Sequence, residues 1–221
     1  MHTNTRTHMH TQAHTQAHPH LSPPHAHNAT KVRSTDGLAV YRRARLDKVE
    51  LDTETQLSPG TNFTGASLRN VRLPAHFELK QLQLNGANLS DSVLDHCSMD
   101  CCILIDASLE GCSIKGARMN GTDLRRATVQ HSNLEHAVLC DVTADAANFA
   151  GAHMAMCSMS RCALSNANFD QCAMQGACLR DATLTGASFN GAQLQKSRFA
   201  ACSMHESSLA GAQMAGALLS G

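Results

Sequence analysis

From Leu79 onward, a bulky apolar residue returns at every fifth position of the chain. The series holds 29 positions, and Ala144 is the one small residue among them. This period fits neither an α-helix, which repeats every ~3.6 residues, nor a strand, which alternates from one face to the other. It predicts a chain that turns a corner in every repeat and points the bulky side chain inward each time.

A column of small residues accompanies the bulky one, two positions before it. From Leu89 onward these 27 positions hold 14 Ala, 7 Cys, 4 Ser, Thr122 and Val142. Two positions after the bulky residue, Gly recurs from Gly86 to Gly221. Large and small side chains together can fill a narrow interior at the density of a protein core, and Gly accepts the positive φ of a sharp corner.

Four such sides would close a square coil of about 20 residues, and neighbouring coils would pair as short parallel strands about 4.8 Å apart. The bulky residues then form stacked columns, and three Phe residues spaced one coil apart are expected to stack ring on ring. The predicted core includes Leu89, Leu109, Leu124, Phe149, Leu164, Phe169, Leu184 and Phe189.

The repeat carries the motif Ala-(Asn/Asp)-Leu-x-Gly, which is nearly complete at Ala147-Asn148-Phe149-Ala150-Gly151 and partial at Ala87-Asn88-Leu89 and Ala167-Asn168-Phe169. This motif resembles that of the pentapeptide-repeat proteins. The resemblance implies an all-β fold, a right-handed quadrilateral parallel β-helix, here of about seven to eight coils. The square cross-section and its hand come from the resemblance, whereas the inward and outward assignments come from the spacing.

The sequence predicts three segments. Residues 1–35 are rich in His and Thr with almost nothing apolar to bury, which predicts a disordered tail. Residues 36–60 fit either a short helix or degenerate first repeats, which would cap the β-helix formed by residues 61–221. Because Phe63, Leu68 and Leu73 are one residue out of frame with Leu79, a small bulge or loop is expected at 74–76.

The tail leaves three interpretations open: a solvated segment, weak capture of Zn²⁺ or Ni²⁺ by its histidines, or a non-cleaved export signal like those of bacterial effectors. It has no apolar stretch typical of a signal peptide, and no run in the chain is long and apolar enough to cross a bilayer, so we expect no membrane partner. The expected location is the cytoplasm, with secretion into host cells as the alternative.

The sequence offers few candidate catalytic or metal-binding residues. Of the ten Cys, seven occupy the small inward column as compact apolar residues, and no two of these seven are spaced by one coil. Cys101, Cys140 and Cys178 should face outward as free thiols, which favours a reducing compartment. The histidines within the repeats fall on scattered outward positions, without a spacing typical of a catalytic triad or zinc site. We therefore expect no enzyme activity, no metal and no cofactor.

Outward charges spaced by one coil should be stacked neighbours. Two such columns form the candidate interaction surface: Asp95, Lys115 and Glu135, and Asp141, Arg161 and Asp181. Some pentapeptide-repeat proteins mimic duplex DNA, bind DNA gyrase and protect it from quinolones or toxins, which requires acidic columns. Here the signs alternate within each column, which disfavours gyrase as the partner. The balance of 18 basic and 18 acidic residues also disfavours direct binding of nucleic acid.

These features predict a non-catalytic β-helical rod that presents its side faces to a protein partner, whose identity the repeat does not encode. The alternatives are a DNA mimic that protects gyrase or topoisomerase, and a secreted bacterial effector that acts as an adaptor in host cells. A homodimer through the C-terminal coil is also compatible with the sequence.

Overall fold

The computed structural model describes residues 32–33, 39–51, 53 and 56–220. These residues wind into a right-handed quadrilateral parallel β-helix, as predicted. The short helix considered for the segment after residue 36 is absent from the described residues, and residues 40–51 join the coil ladders instead. Except for residues 32–33, the predicted tail lies outside the described residues.

Extended strands are few and short. They are β1 Val32–Arg33, β2 Ala39–Val40, β3 Ser158–Ser160, β4 Cys178–Arg180, β5 Arg198–Ala200 and β6 Leu218–Ser220. The first two pair antiparallel, and the last four form one parallel sheet whose partners come from successive coils, as in Met159 opposite Leu179. Elsewhere each side of a coil contributes a single bridging residue to its ladder.

The ladders set the length of the rod. One ladder runs through Val40, Asn62 and Gln83 and then through every twentieth residue to Ser203, which makes nine rungs. At about 4.8 Å per rung the rod is about 40 Å long. None of the described residues forms a helix long and apolar enough to span a bilayer.

The register is irregular only at its start. The first coil, from Val40 to its partner Asn62, is longer than a regular coil by two residues, and the second, from Asn62 to Gln83, is longer by one. The extra residue in the second coil lies at Pro74, whose carbonyl accepts the amide of Phe77 at 3.2 Å, so the predicted bulge is confirmed. The ring of Tyr41 stacks on Phe63 with centroids 5.0 Å apart, which places the first coil in line with the later ones.

Four faces of the rod follow from this register. They are numbered by their first bulky residue after the bulge: face 1 from Leu79, face 2 from Leu84, face 3 from Leu89 and face 4 from Leu94, each continuing at every twentieth residue. Within a repeat the bulky residue is position 0 and the small inward residue is position +3. Positions −1, +1 and +2 face solvent, and position +2 forms the corner.

The core is a stack of the bulky positions. From Leu84 to Leu194 all of them are at most 4% exposed, and this range includes every residue predicted for the core. The rings of Phe149 and Phe169 are stacked at 5.0 Å, and those of Phe169 and Phe189 at 4.9 Å, so the predicted aromatic column is observed. Offset or parallel stacking of this kind adds to the stabilisation from burial alone.

The small inward residues do more than fill space. The thiol of Cys102 donates to the carbonyl of Leu79 at 2.7 Å, and the hydroxyl of Thr122 donates to the carbonyl of Met99 at 2.9 Å. In both cases the acceptor is a bulky residue of the preceding coil. Cys, Ser and Thr therefore tie neighbouring coils together, which corrects the expectation that Cys serves here only as an apolar substitute for Ala.

Candidate interaction surface

In most repeats before the last coil, backbone hydrogen bonds leave one amide without a backbone partner. The amides at −1, 0 and +2, and in most repeats the amide at +3, bond to carbonyls of the same or a neighbouring coil, whereas the amide at +1 faces outward. Side-chain oxygens of Asn and Asp accept many of these amides. Asn148 accepts the amide of Ala150 at 3.1 Å within its own repeat, and Asp95 accepts the amide of Lys115 at 2.9 Å in the next coil.

This bonding gives several acidic residues a structural role that the sequence analysis missed. Asp95 also accepts a hydrogen bond from the hydroxyl of Ser113 at 2.7 Å, so its carboxylate bonds two groups of the next coil. Other side chains accept an amide in the next coil in the same way: Asp100, Asn120, Asp145, Asp170 and Asn190. The recurrence of Asn and Asp at positions −1 and +1 was the signal available in the sequence.

The first predicted charge column lies on face 4. The ammonium of Lys115 lies 3.1 Å from Glu135 Oε2, and this hydrogen bond holds the pKa of Glu135 below its ordinary value. Asp95, the third member of the column, contacts the Lys115 backbone amide. The structure therefore brings all three residues together, but only Lys115 and Glu135 pair through charge.

The second predicted column follows the edge between faces 1 and 2. Arg161 holds Asp141 through two hydrogen bonds of 2.7 Å, which lower the pKa of Asp141. Asp181, the third member, forms no ion pair with any described residue. On the edge between faces 2 and 3, Arg126 holds Asp106 with the same bidentate geometry, again at 2.7 Å.

Most of the basic side chains of the rod, but not all of them, form ion pairs. Residues 79–220 include nine basic side chains, and six of them form ion pairs: Lys80, Lys115, Arg118, Arg125, Arg126 and Arg161. The other three, Arg180, Lys196 and Arg198, form no ion pair within the described residues, and all three are exposed.

The charge also varies along the axis. Residues 78–157 contain ten acidic and five basic residues, a net charge of −5, whereas residues 158–220 contain three acidic and four basic residues, a net charge of +1. Alternation of charge within columns therefore does not cancel the negative field of residues 78–157 completely, because Asp95, Glu110 and Asp145 have no basic partner among the described residues. The middle of the rod is acidic, and the later coils are slightly basic.

The structure offers little reactive chemistry. The ten cysteines are unpaired, and burial raises the pKa of Cys102, Cys112, Cys157, Cys162 and Cys172 to about 12. Buried thiols of this kind stay protonated and unreactive at neutral pH. No group of three or more His, Cys, Asp or Glu side chains in the described part of the chain is arranged to hold a metal ion.

Comparisons with known proteins agree with this geometry. A model of pentapeptide repeats matches residues 102–141 with eight copies, and a model of a pentapeptide repeat region matches residues 152–221. No match was found among curated protein sequences.

Two solved structures align with most of the chain. QnrB1, a plasmid-mediated fluoroquinolone resistance protein, aligns over 79% of this chain and 91% of its own at 14% identity, with a TM-score of 0.50. HetL, a pentapeptide repeat protein involved in heterocyst differentiation regulation from the cyanobacterium Nostoc, aligns over 80% and 90% at 18% identity, with a TM-score of 0.48. At 14% identity, the alignment with QnrB1 shows similarity of fold alone.

Proposed function

The chain is a pentapeptide-repeat protein, and from that premise we propose that it is a non-catalytic interaction module that presents the side faces of its β-helix to a protein partner. The observation that supports this proposal is that one set of side chains fixes the backbone and another set does not. The inward columns and the Asn and Asp acceptors fix the backbone, and the remaining outward side chains vary from coil to coil.

Those remaining side chains favour recognition by shape and charge over chemistry. They form flat faces with fixed spacing along the rod, on which most charges are held in place by ion pairs. A rigid surface of this kind loses little conformational entropy when a partner binds, so its contacts contribute more to affinity.

Affinity capture from the cells that produce the protein tests the proposal. The bait is the full chain, and four matched variants each carry uncharged polar substitutions at the outward charged residues of one face, with the amide-bonding Asp residues left intact. The proposal expects one partner to be recovered with the wild type and lost with one or two variants. Failure to recover any partner above background, or equal recovery with all four variants, would contradict it.

A second candidate is a DNA mimic that protects gyrase or topoisomerase, and the net charge of −5 over residues 78–157 supports it. The bidentate pairs of Arg126 and Arg161 oppose it, because they neutralise carboxylates that a mimic would need. A supercoiling assay of purified gyrase with a fluoroquinolone distinguishes the two. If the full chain protects supercoiling from the fluoroquinolone, the DNA mimic is favoured. If the fluoroquinolone inhibits supercoiling equally with and without the chain, the interaction module is favoured.

The location and assembly of the protein are further proposals. We propose that it acts in the cytoplasm. The alternative is secretion into host cells, where it would act as an adaptor. Transport that depends on residues 1–35 would support this alternative. A homodimer through the C-terminal coil would cover Leu218 and Leu219, which are 59% and 54% exposed. Sedimentation velocity of the wild type and of Leu219→Ser tests that contact.

A further inference from the structure

One edge of the rod lacks the acidic residues found on the other three. The corner column between faces 4 and 1 consists of His76, His96, Gly116, His136, Met156, Gly176, Lys196 and Gly216. Each of the other corner columns contains Asp or Glu, whereas this one contains neither. We call its later part, the corner residues Met156, Gly176 and Lys196 with the outward residues beside them, the 4/1 edge.

Met156 is the apolar feature of the 4/1 edge. It is 58% exposed, and the other large hydrophobic residues exposed to this degree in the described chain are Leu218 and Leu219 in the last coil. Its sulfur covers Gly176 so closely that a Cβ there would lie 2.5 Å away, so the side chain lies flat along the rod. Exposed Met with few charges around it is typical of the centre of a protein interface.

Unpaired basic side chains lie beside this apolar centre. Lys196 occupies the same corner column two coils further on, about 10 Å from Met156 along the axis. Arg198 follows it on face 1, and Arg180 lies on face 1 one coil earlier. Within residues 79–220, these are the three basic residues that form no ion pair with a described residue.

We propose that the 4/1 edge binds an acidic segment of a protein partner, with an apolar side chain of that segment on Met156 and its carboxylates on Lys196 and Arg198. An extended segment advances about 3.3 Å per residue, so the apolar residue and the first carboxylate are about three residues apart. The proposal rests on the proposed interaction function and specifies the chemistry of its partner.

Charge complementarity favours such a segment over a second copy of this chain. A two-fold axis through Met156 would place the coil of Lys196 and Arg198 against the coil two turns before Met156. On that coil Lys115 and Arg118 already pair with Glu135 and Asp100, and Asp95 bonds to Ser113 and the Lys115 amide, so these carboxylates are not free to bind Lys196 and Arg198 of a second copy. Charge complementarity across an interface favours a partner that brings free carboxylates of its own.

Fluorescence anisotropy of the full chain with a labelled synthetic peptide tests the proposal. The peptide contains a Leu-Phe pair followed, after one Ser, by four acidic residues, and its control carries Gln and Asn in place of the acidic residues. We expect saturable binding of the acidic peptide, about tenfold weaker for Lys196→Gln with Arg198→Gln and about fivefold weaker for Met156→Ser. The matched control, Asp106→Asn with Arg126→Gln, removes a charge pair on the edge between faces 2 and 3 and should bind as the wild type does.

Absence of saturable binding, or equal binding of both peptides, would overturn the proposal. So would a dimer in sedimentation experiments that Met156→Ser dissociates, since that would assign the edge to a second copy. Affinity capture with the Met156→Ser, Lys196→Gln and Arg198→Gln triple variant separates this inference from the broader one. If that variant recovers the same partner as the wild type, the assignment of the 4/1 edge as the binding site is wrong, and the proposed interaction function stands.

Discussion

The imidazole of His96 lies over Gly116, the corner residue of the next coil, so closely that a Cβ on Gly116 would come within 2.6 Å of its Nδ1. His131 and Gly151 repeat this relationship on another edge, also at 2.6 Å. All 28 corner residues from Gln81 to Gly216 have φ between 53° and 70°, yet 18 of them are not Gly. Positive φ alone therefore does not explain the glycines, because Gly also makes room for the corner side chain of the preceding coil.

We expect Gly116→Ala to destabilise the protein more than Gly86→Ala. Both positions have nearly the same φ, 58° and 60°, but nothing lies within 4 Å of a Cβ at Gly86. Gly86→Ala should cost about 1 kcal/mol from the left-handed backbone alone, and Gly116→Ala should cost more because His96 must move. Thermal unfolding of both variants measures the difference. A second comparison in the His96→Ala background should abolish it, and persistence of the difference there would contradict the explanation.

The aromatic column on face 3 should be a main contributor to stability. Phe169 is fully buried between the rings of Phe149 and Phe189, and Phe169→Ala removes both stacking contacts and leaves a cavity. We expect a loss of about 3–5 kcal/mol in chemical denaturation, and a smaller loss for Phe169→Leu, which keeps most of the volume. A loss below about 1 kcal/mol for Phe169→Ala would mean that this column is not packed as described.

Thiol labelling separates the inward and outward cysteines. Burial raises the pKa of Cys97 to about 11 and of Cys172 to about 12, whereas Cys101 is exposed. Brief treatment of the folded protein with iodoacetamide at neutral pH should modify Cys101, followed by Cys140 and Cys178, and leave the buried cysteines intact until the protein is denatured. Mass spectrometry of the digested protein reads the result, and early modification of Cys102 or Cys112 would contradict the assigned register.

The ion pair of Arg161 with Asp141 should respond to acid in one direction. The guanidinium holds the pKa of Asp141 below its ordinary value of 3.8 in the folded protein. The pair therefore stabilises the fold fully above that value, and this contribution is lost as the pH falls through the lowered pKa. In Arg161→Gln, NMR titration should show the pKa of Asp141 moving up towards 3.8. Arg180→Gln is the control, and a similar shift in that variant would contradict the pairing.

Much of the fold was predictable because each repeat shows the same spacing of bulky, small and corner residues independently of the others. The bulky residues from Leu84 to Leu194 face inward without exception, and the one-residue frame shift at Leu73 located the bulge at Pro74. The first coil was ambiguous, because Tyr41, Leu46 and Leu51 fall on a five-residue step. Tyr41 also fits a short helix together with Leu38 and Arg45. Pairing of Val40 with Asn62 resolves this ambiguity through a contact between successive coils, which local spacing does not encode.

The surface was less predictable, because column membership does not determine which atoms bond. Asp95 shares a column with Lys115 but accepts its backbone amide, while Glu135 accepts its ammonium. The sequence showed which charges are neighbours, whereas side-chain length and the outward amide determine which of them pair. The unpaired group of Arg180, Lys196 and Arg198 emerged only once the other pairs were assigned.

Hydrogen exchange tests most directly the claim that an outward face binds a protein partner. The amides at position +1 have no backbone acceptor, so those that also lack an Asn or Asp acceptor should exchange faster in the free protein than the backbone-bonded amides of the same repeat. With the captured partner bound, we expect slower exchange at +1 positions of one face or edge, recurring once in every coil along the rod. Unchanged exchange at these positions, or slowing spread evenly over all four faces, would contradict the claim.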